Sequence, residues 1–287
     1  MTLPAFYSSP LHLPFNRSCL VGQFEMQAPD LDPGGDGCWV LLRGSEIIID
    51  MAGEKPSLPS SAHPPVAVRD ESLYLGLWQG SPCRLVVVEK ETALSDGLTG
   101  SDLLAGNPDL PIDLLSLGVL ARHVLHWEGN SRYCSKCGTT MQRLAGEWGK
   151  LCSDCGAHHF PHIHPCIIVI VRRAGEILMT RKAEWPEGRY SLVAGFLDFG
   201  ECLEEAVARE VKEETGIEVC NIRYIGSQGW PFSSQMMAGF VADYAGGEVQ
   251  VEEKELEDAG WFSVDDLPLL PPNRSIARYL IDTYARI

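Results

Sequence analysis

GFLDFGECLEEAVAREVKEETGI, residues 195–217, decides how this chain is to be read. Glu210, Glu213 and Glu214 stand at i, i+3 and i+4, so a helix over about Cys202 to Glu214 projects all three from one face. Leu203, Ala206, Val207 and Val211 fall on the opposite face and can bury against a sheet. Gly216 sits where helices commonly end on a left-handed residue. Like charges at this spacing repel one another unless a cation lies among them. Carboxylate oxygens are the ligands Mg²⁺ or Mn²⁺ prefers, and such sites keep room for water and phosphate oxygens. An acidic helix face is usually just solvated; here Arg209 and the framing Gly195 and Gly216 make the pattern more particular.

Upstream, Cys134, Cys137, Cys152 and Cys155 form C-x2-C-x14-C-x2-C, each pair followed by a glycine, Gly138 or Gly156. Two thiolates three positions apart can grip one ion from a tight turn, and the glycine relieves a positive φ there. Four sulfurs close a tetrahedral Zn²⁺ site and leave no place for water, so this metal is expected to be structural. His123, His126, His158, His159, His162 and His164 lie nearby, and with four cysteines available they read as surface or packing residues.

The whole chain sets the frame for these two motifs. At 287 residues and 45% hydrophobic it can bury a sizeable core divided among two or three domains. A formal net charge of −16 excludes holding nucleic acid by bulk electrostatics, so any phosphate must be met by metal, backbone N–H groups or a few placed cations. The longest strongly apolar run, Cys166 to Val171, is far short of a membrane span. The start MTLPAFYSSPLHLPF lacks a basic, then apolar, signal pattern, and the six remaining cysteines are scattered; both suggest a reducing, cytoplasmic setting.

Three domains are expected: a strand-rich α+β domain over 1–127, structural or dimerising; a zinc ribbon over 128–160; and an α/β domain over 161–287. In the first, strands fit Trp39 to Leu42, Ile47 to Asp50, Leu73 to Trp78 and Leu85 to Val88, with a hairpin at Gly44–Ser45. A helix follows Pro111, with Leu114, Leu117, Gly118, Ala121 and Leu125 on one face and a stop at Gly129–Asn130. In the last, strands fit Cys166 to Val171, Ile177 to Thr180, Val219 to Ile225, Ala238 to Tyr244 and Gly260 to Phe262, and Ser275 caps a final helix.

Residues Gly195, Glu201, Arg209, Glu210, Val211, Glu213, Glu214, Gly216 and Ile217 match every defining position of the Nudix box, G-x5-E-x7-R-E-U-x-E-E-x-G-U, in which U is a bulky aliphatic residue. The chain therefore resembles the Nudix hydrolases, and the resemblance implies a mixed sheet between helices, an α/β/α sandwich. Two further features resemble the NADH pyrophosphatase subfamily. One is the four-cysteine ribbon directly ahead of the box. The other is SQGWPFSSQ, Ser227 to Gln235, beside that subfamily's S-Q-P-W-P-F-P-x-S; Gly229, Ser233 and Gln235 depart from it. HFPHIHPCIIV and the tail from Asp265 to Ala277 extend the likeness from Cys134 to the C-terminus.

The resemblance implies Mg²⁺ or Mn²⁺ held by Glu210, Glu214 and Glu255, with Glu213 joining or taking a proton, and with the carbonyl of Ala194 as a further ligand. It pairs Glu201 with Arg209 as a brace for the loop. It places Phe160, Gln228, Gly229, Trp230, Pro231, Phe232, Ser233, Ser234, Gln235 and Ala277 at the substrate; Phe160, Phe196, Trp230 and Phe232 can stack on flat rings, which adds Phe196 to the set. It implies a homodimer that splits NAD(H) into nicotinamide mononucleotide and AMP, and that can remove the same group from NAD-capped RNA. The altered loop leaves ADP-ribose, diadenosine polyphosphate or FAD as alternative substrates, and a non-catalytic RNA-binding or adaptor role as the reading of another class.

Overall fold

A computed structural model describes residues 3–68, 71–106, 108–232 and 234–286. The chain forms two compact units. Pro14–Ile163 makes most of the first, which also takes in Trp230–Ser234; His164–Gly229 and Gln235–Ile287 make most of the second, which also takes in Pro4–Leu13.

In the first unit, β1 (Phe24–Met26), β2 (Gly37–Arg43), β3 (Glu46–Asp50), β4 (Ser60–Ser61), β5 (Leu73–Trp78), β6 (Ser81–Val87) and β7 (Leu98–Asp102) form one sheet. Its order is β1-β5-β6-β2-β3-β7, with β4 beside β2; β2 and β6 run parallel and the other pairs antiparallel. Gly44 and Ser45 join β2 to β3, Gly44 at φ 62°, as the expected hairpin requires. Strand alternation splits the apolar residues between two faces. Val40, Leu42, Ile47, Ile49 and Leu85 pack with α1 (Ile112–Asn130), while Trp39, Leu41, Ile48 and Val86 pack beneath Val66, Val68 and Leu94.

The α1 helix is more deeply enclosed than one apolar stripe implies, with nine buried residues from Leu114 to Trp127. It also passes through Gly129 and Asn130 before ending at Ser131. Three short antiparallel strands, β8 (Met141–Arg143), β9 (Lys150–Cys152) and β10 (His158–His159), make the ribbon of the same unit.

The second unit has a mixed sheet in the order β14-β15-β11-β12-β16, with β13 beside β11. Its strands are β11 (His164–Arg173), β12 (Glu176–Arg181), β13 (Val193–Phe196), β14 (Glu218–Trp230), β15 (Gln235–Gly246) and β16 (Asp258–Ser263). The β11–β15 pair is parallel; β12 and β13 run antiparallel to β11. Alternation again assigns the faces. Ile167, Val169 and Val171, with Ala238, Phe240 and Ala242, pack against Ala206, Val207 and Val211 of α2 (Leu203–Thr215). The opposite face meets α3 (Ile276–Tyr284): a side chain on Gly239 of β15 would crowd Ile276, so the glycine lets this helix approach. Helices thus cover both faces, and the unit is the expected sandwich.

Local chemistry sets the ends of α2. The Cys202 sulfur accepts from the third residue of the helix while Glu205 Oε2 accepts from the Cys202 N–H at 2.8 Å, and Gly216 closes the helix at φ 73°. Val207 and Val211 are fully buried, and each such side chain contributes about 1.5–3 kcal/mol, which anchors the helix and leaves its acidic side free.

Candidate active site

The four cysteines come together from two equivalent turns. Gly138 N–H donates to the Cys134 carbonyl at 2.8 Å and Gly156 N–H to the Cys152 carbonyl at 3.0 Å, with both glycines at positive φ. All four sulfurs lie within 4.8 Å of one another; Cys134–Cys155 is 3.5 Å and Cys137–Cys152 is 3.4 Å. A tetrahedral ion with Zn–S bonds near 2.3 Å has sulfur–sulfur edges of about 3.8 Å, so the set fits Zn²⁺. A disulfide would need about 2.05 Å. The N–H groups of Lys136 and then Cys137 pull the Cys134 thiol down to about 6, which favours the thiolate a metal needs. The nearby histidines are not part of this cluster: His158 stacks on Phe160 with centroids 6.1 Å apart, and His159 meets His162 edge-on at 4.4 Å.

In the second unit, α2 presents its carboxylates to a cleft of about 440 Å³. Ala194, Glu210, Glu213, Glu214 and Glu255, all expected at the metal, line it, as do Phe196 and Gln235 from the expected substrate set. Gly195 belongs to strand β13, which faces α2. A Cβ there would lie on the Glu210 carboxyl group, so only glycine lets that carboxylate sit where it does.

Arg209 organises the mouth of the cleft. It grips Glu201 with two bonds, of 2.5 and 2.9 Å, and reaches Glu210 Oε1 and Glu213 Oε2, each at 2.9 Å, and the Phe196 carbonyl at 2.8 Å. Arg209, and then the Asp198 N–H, hold the Glu201 carboxyl down at about 2. This is the brace expected of the pair.

Glu214 differs from its neighbours. It is 3% exposed, and no described residue donates a hydrogen bond to its carboxylate. Burial pushes it up to about 7; Lys182 opposes the shift, and Glu210 and Glu255 add to it. Burial also raises Glu210, against the pull of Arg209. Buried carboxylates short of donors and facing like charge fit a divalent cation, whose charge and coordination supply what the protein does not. The loop bearing Glu255 is fixed to the same helix end: Gln250 N–H donates to the Thr215 carbonyl at 2.8 Å, and Glu252 N–H to that of Glu214 at 3.1 Å.

The remaining expected substrate residues divide by position. Phe160, Phe196 and Phe232 are about half exposed and open to a ligand. Trp230 packs edge-on to Phe15 at 5.9 Å, and its carbonyl accepts from His123 Nε2 at 2.6 Å, so its ring is tied into the first unit's core. Gly229 is half-buried, Pro231 is buried and Ser234 is 3% exposed with φ 63°; Ser233 lies outside the described residues.

Two more of the expected substrate residues have buried side chains. Gln228 is fully buried: its amide donates to the Arg274 carbonyl and accepts from the Ile276 N–H, both at 2.7 Å, so its side chain is consumed in holding the start of α3. Ala277 is 5% exposed within α3, and its methyl is packed rather than presented. Motif spacing also missed Cys166, Lys182 and Met237 in the cleft lining. Only the strand pairing brings them there.

Residues 162–284 match the NUDIX domain, residues 130–160 the NADH pyrophosphatase zinc ribbon domain, and residues 36–127 the NADH pyrophosphatase-like rudimentary NUDIX domain. The chain is 37% identical over 269 residues to a protein of Pseudomonas aeruginosa (strain LESB58) named NAD-capped RNA hydrolase NudC, covering 92% of this chain and 95% of that one. It is 37% identical over 246 residues to the protein of the same name in Escherichia coli O81 (strain ED1a), covering 86% and 92%. Among solved structures, a NUDIX hydrolase from Nitrosomonas europaea aligns at 24% identity with a TM-score of 0.42, covering 47% of this chain and 80% of that one. A likeness that runs through 92% of the chain, well beyond the box, makes this protein a Nudix hydrolase of the NADH pyrophosphatase group.

Proposed function

We propose that the cleft on α2 hydrolyses the pyrophosphate bond of NAD(H), giving nicotinamide mononucleotide and AMP, and cuts the same bond at the 5′ end of NAD-capped RNA. The observation that carries this is Glu214, buried with no donor among the described residues beside Glu210 and Glu255 in one cleft. Glu210, Glu214, Glu255 and the Ala194 carbonyl are the groups to hold the cation. Bound there, Mg²⁺ or Mn²⁺ would supply Lewis-acid charge against the diphosphate oxygens.

The chain's own side chains do the rest. Arg209 occupies Glu210 Oε1 and leaves Oε2 without a donor among the described residues, so the carboxylate keeps an open side toward the cleft. Glu213 is 61% exposed on its side chain and held by Arg209 at 2.9 Å; its exposure supports it as the carboxylate that accepts the proton of the attacking water. Attack in line on phosphorus breaks the bridging P–O bond and releases the two mononucleotides. Phe196, half-exposed at the cleft, suits a flat ring of a dinucleotide.

The ribbon's Zn²⁺ is structural in this reading, and the catalytic metal is Mg²⁺ or Mn²⁺. The protein is proposed to act as a cytoplasmic homodimer. The six cysteines outside the ribbon form no disulfide, which supports a reducing compartment, and among the described residues no helix is long and apolar enough to cross a membrane. Sedimentation of the purified protein tests the dimer.

Turnover of NADH, NAD⁺, NAD-capped RNA and ADP-ribose by the purified chain, with each metal, tests the substrate. Nicotinamide mononucleotide and AMP are the products expected from NADH. A clear preference for ADP-ribose over NADH would overturn the choice of substrate.

A further inference from the structure

Six carboxylates line the cleft, Asp198, Glu210, Glu213, Glu214, Glu252 and Glu255, against two cations, Arg209 and Lys182. The two cations are used in opposite ways. Arg209 is fully committed to Glu201, Glu210, Glu213 and the Phe196 carbonyl. Lys182 is half-buried, and its ammonium makes no hydrogen bond or ion pair with any described residue, although it is close enough for its charge to act on Glu214.

Its root is firmly held. Lys182 directly follows β12, and its carbonyl accepts from the Trp185 N–H at 3.0 Å, closing a turn. Arg181 pins that turn by donating to the Trp185, Pro186 and Arg189 carbonyls at 3.1, 2.7 and 3.3 Å, and it pairs with Glu257 at 2.6 Å. The Arg181 carbonyl accepts from Glu257 N–H at 2.8 Å, which binds the turn to the segment bearing Glu255. Neighbours on an extended strand point to opposite sides, so fixing Arg181 on Glu257 sends Lys182 into the cleft, whose wall it forms.

An ammonium anchored at its base and free at its tip is suited to a ligand that arrives with its own negative charge. A diphosphate entering among six carboxylates meets repulsion that a divalent cation offsets only on the side it occupies. A lysine acts on phosphate as a compact point charge with rotatable donors and does not require the fork geometry of arginine. We infer that Lys182 binds a non-bridging oxygen of the substrate diphosphate and so positions the substrate for attack; this rests on the cleft being the diphosphate site.

The test compares the full chain with Lys182→Met and Lys182→Arg on both NADH and ADP-ribose, which share the diphosphate but differ beyond it. Mn²⁺ affinity and melting temperature are measured alongside. Losing one charge-assisted contact should raise KM by about tenfold in Lys182→Met, with a smaller change in kcat, by the same factor on both substrates. Lys182→Arg should recover most of the loss. Mn²⁺ alone, followed by its paramagnetic resonance, should bind Lys182→Met no more weakly than the parent.

Kinetics within about twofold of the parent would overturn the inference, since such a change is below the weakest such contact. A loss confined to NADH, or weakened Mn²⁺ binding, would overturn it as well; the first would place Lys182 on the nicotinamide half, the second among the supports of the glutamates. If the parent protein cleaves ADP-ribose but not NADH, the substrate reading fails by itself and the role of Lys182 is still decided on ADP-ribose.

Discussion

The ribbon and the carboxylate cleft hold two donor sets built on opposite plans. In the ribbon, four thiols come from two equivalent turns, all within 4.8 Å of one another, and backbone N–H groups already favour the thiolate. That set is complete in itself and has no direction left for a substrate. In the cleft, the proposed donors come from one face of α2, a strand carbonyl and a later loop; one of them is buried with no hydrogen-bond donor among the described residues. In the proposed reading, ions and a ligand complete that set. The proposed contrast is between a structural metal site, which saturates its donors from within the fold, and a working one, which leaves some waiting.

The widest consequence of the difference should appear on removing zinc. Folding of a small zinc-bound segment rests on an apparent metal-binding free energy of about 10–16 kcal/mol, so Cys152→Ser should lose ribbon order outright. Elemental analysis should find one zinc per parent chain and none in the variant, and protease should cut the variant within residues 130–160. Finding no zinc in the parent would erase the comparison. Next in size is Glu214→Gln, which should lower kcat by about 10³-fold while leaving melting unharmed, because it removes a buried charge and keeps the shape. Undiminished turnover would move Glu214 out of the working set.

The third effect is smaller and separates the two sites by pH. Glu214 titrates near 4.5 in an unfolded chain and about 7 in the fold, so the folded state binds the proton more tightly. Its contribution to stability is full below about 4.5 and is lost as pH rises through 7, a difference of up to about 3 kcal/mol. Melting in metal-depleted buffer should therefore fall from pH 5 to pH 8. Glu201 runs the other way, but Arg209 holds it at about 2, so its contribution disappears only below the ordinary carboxylate range and does not cancel the trend. Saturating Mg²⁺ should flatten the slope, and Glu214→Gln should remove it. A melting temperature independent of pH in the metal-depleted parent would contradict the burial of this charge.

Both donor sets were legible in the sequence because their chemistry is local. Helical spacing alone puts Glu210, Glu213 and Glu214 on one side, and two C-x2-C turns need nothing beyond themselves. The C-terminal sandwich was legible through the box, whose resemblance carries a fold with it. What stayed hidden depends on distant pairing. Lys182, Cys166 and Met237 enter the cleft because β11, β12 and β15 lie side by side, which no short spacing reveals.

The strand expected over Val219 to Ile225 in fact continues to Trp230 as β14, and a side chain at Gly226 within it would strike Pro10, more than two hundred positions away in sequence. The motif around Gln228 gives no sign of its partners, Arg274 and Ile276, which appear only once the chain is folded. In the first unit, β1 and β7 escaped notice because Phe24–Met26 is very short and Leu98–Asp102 is mostly polar.

The two backbone bonds from Gln250 and Glu252 to the last turn of α2 bear on how this segment tolerates change. They make the placement of Glu255 a matter of chain length and not of side-chain identity, because main-chain atoms alone set the tether. Glu252, Glu253 and Lys254 are exposed and open to replacement. Inserting or deleting a single residue between Gln250 and Glu255 would instead slip the register and carry that carboxylate out of reach of Glu214. The stretch should accept many spellings of one fixed length.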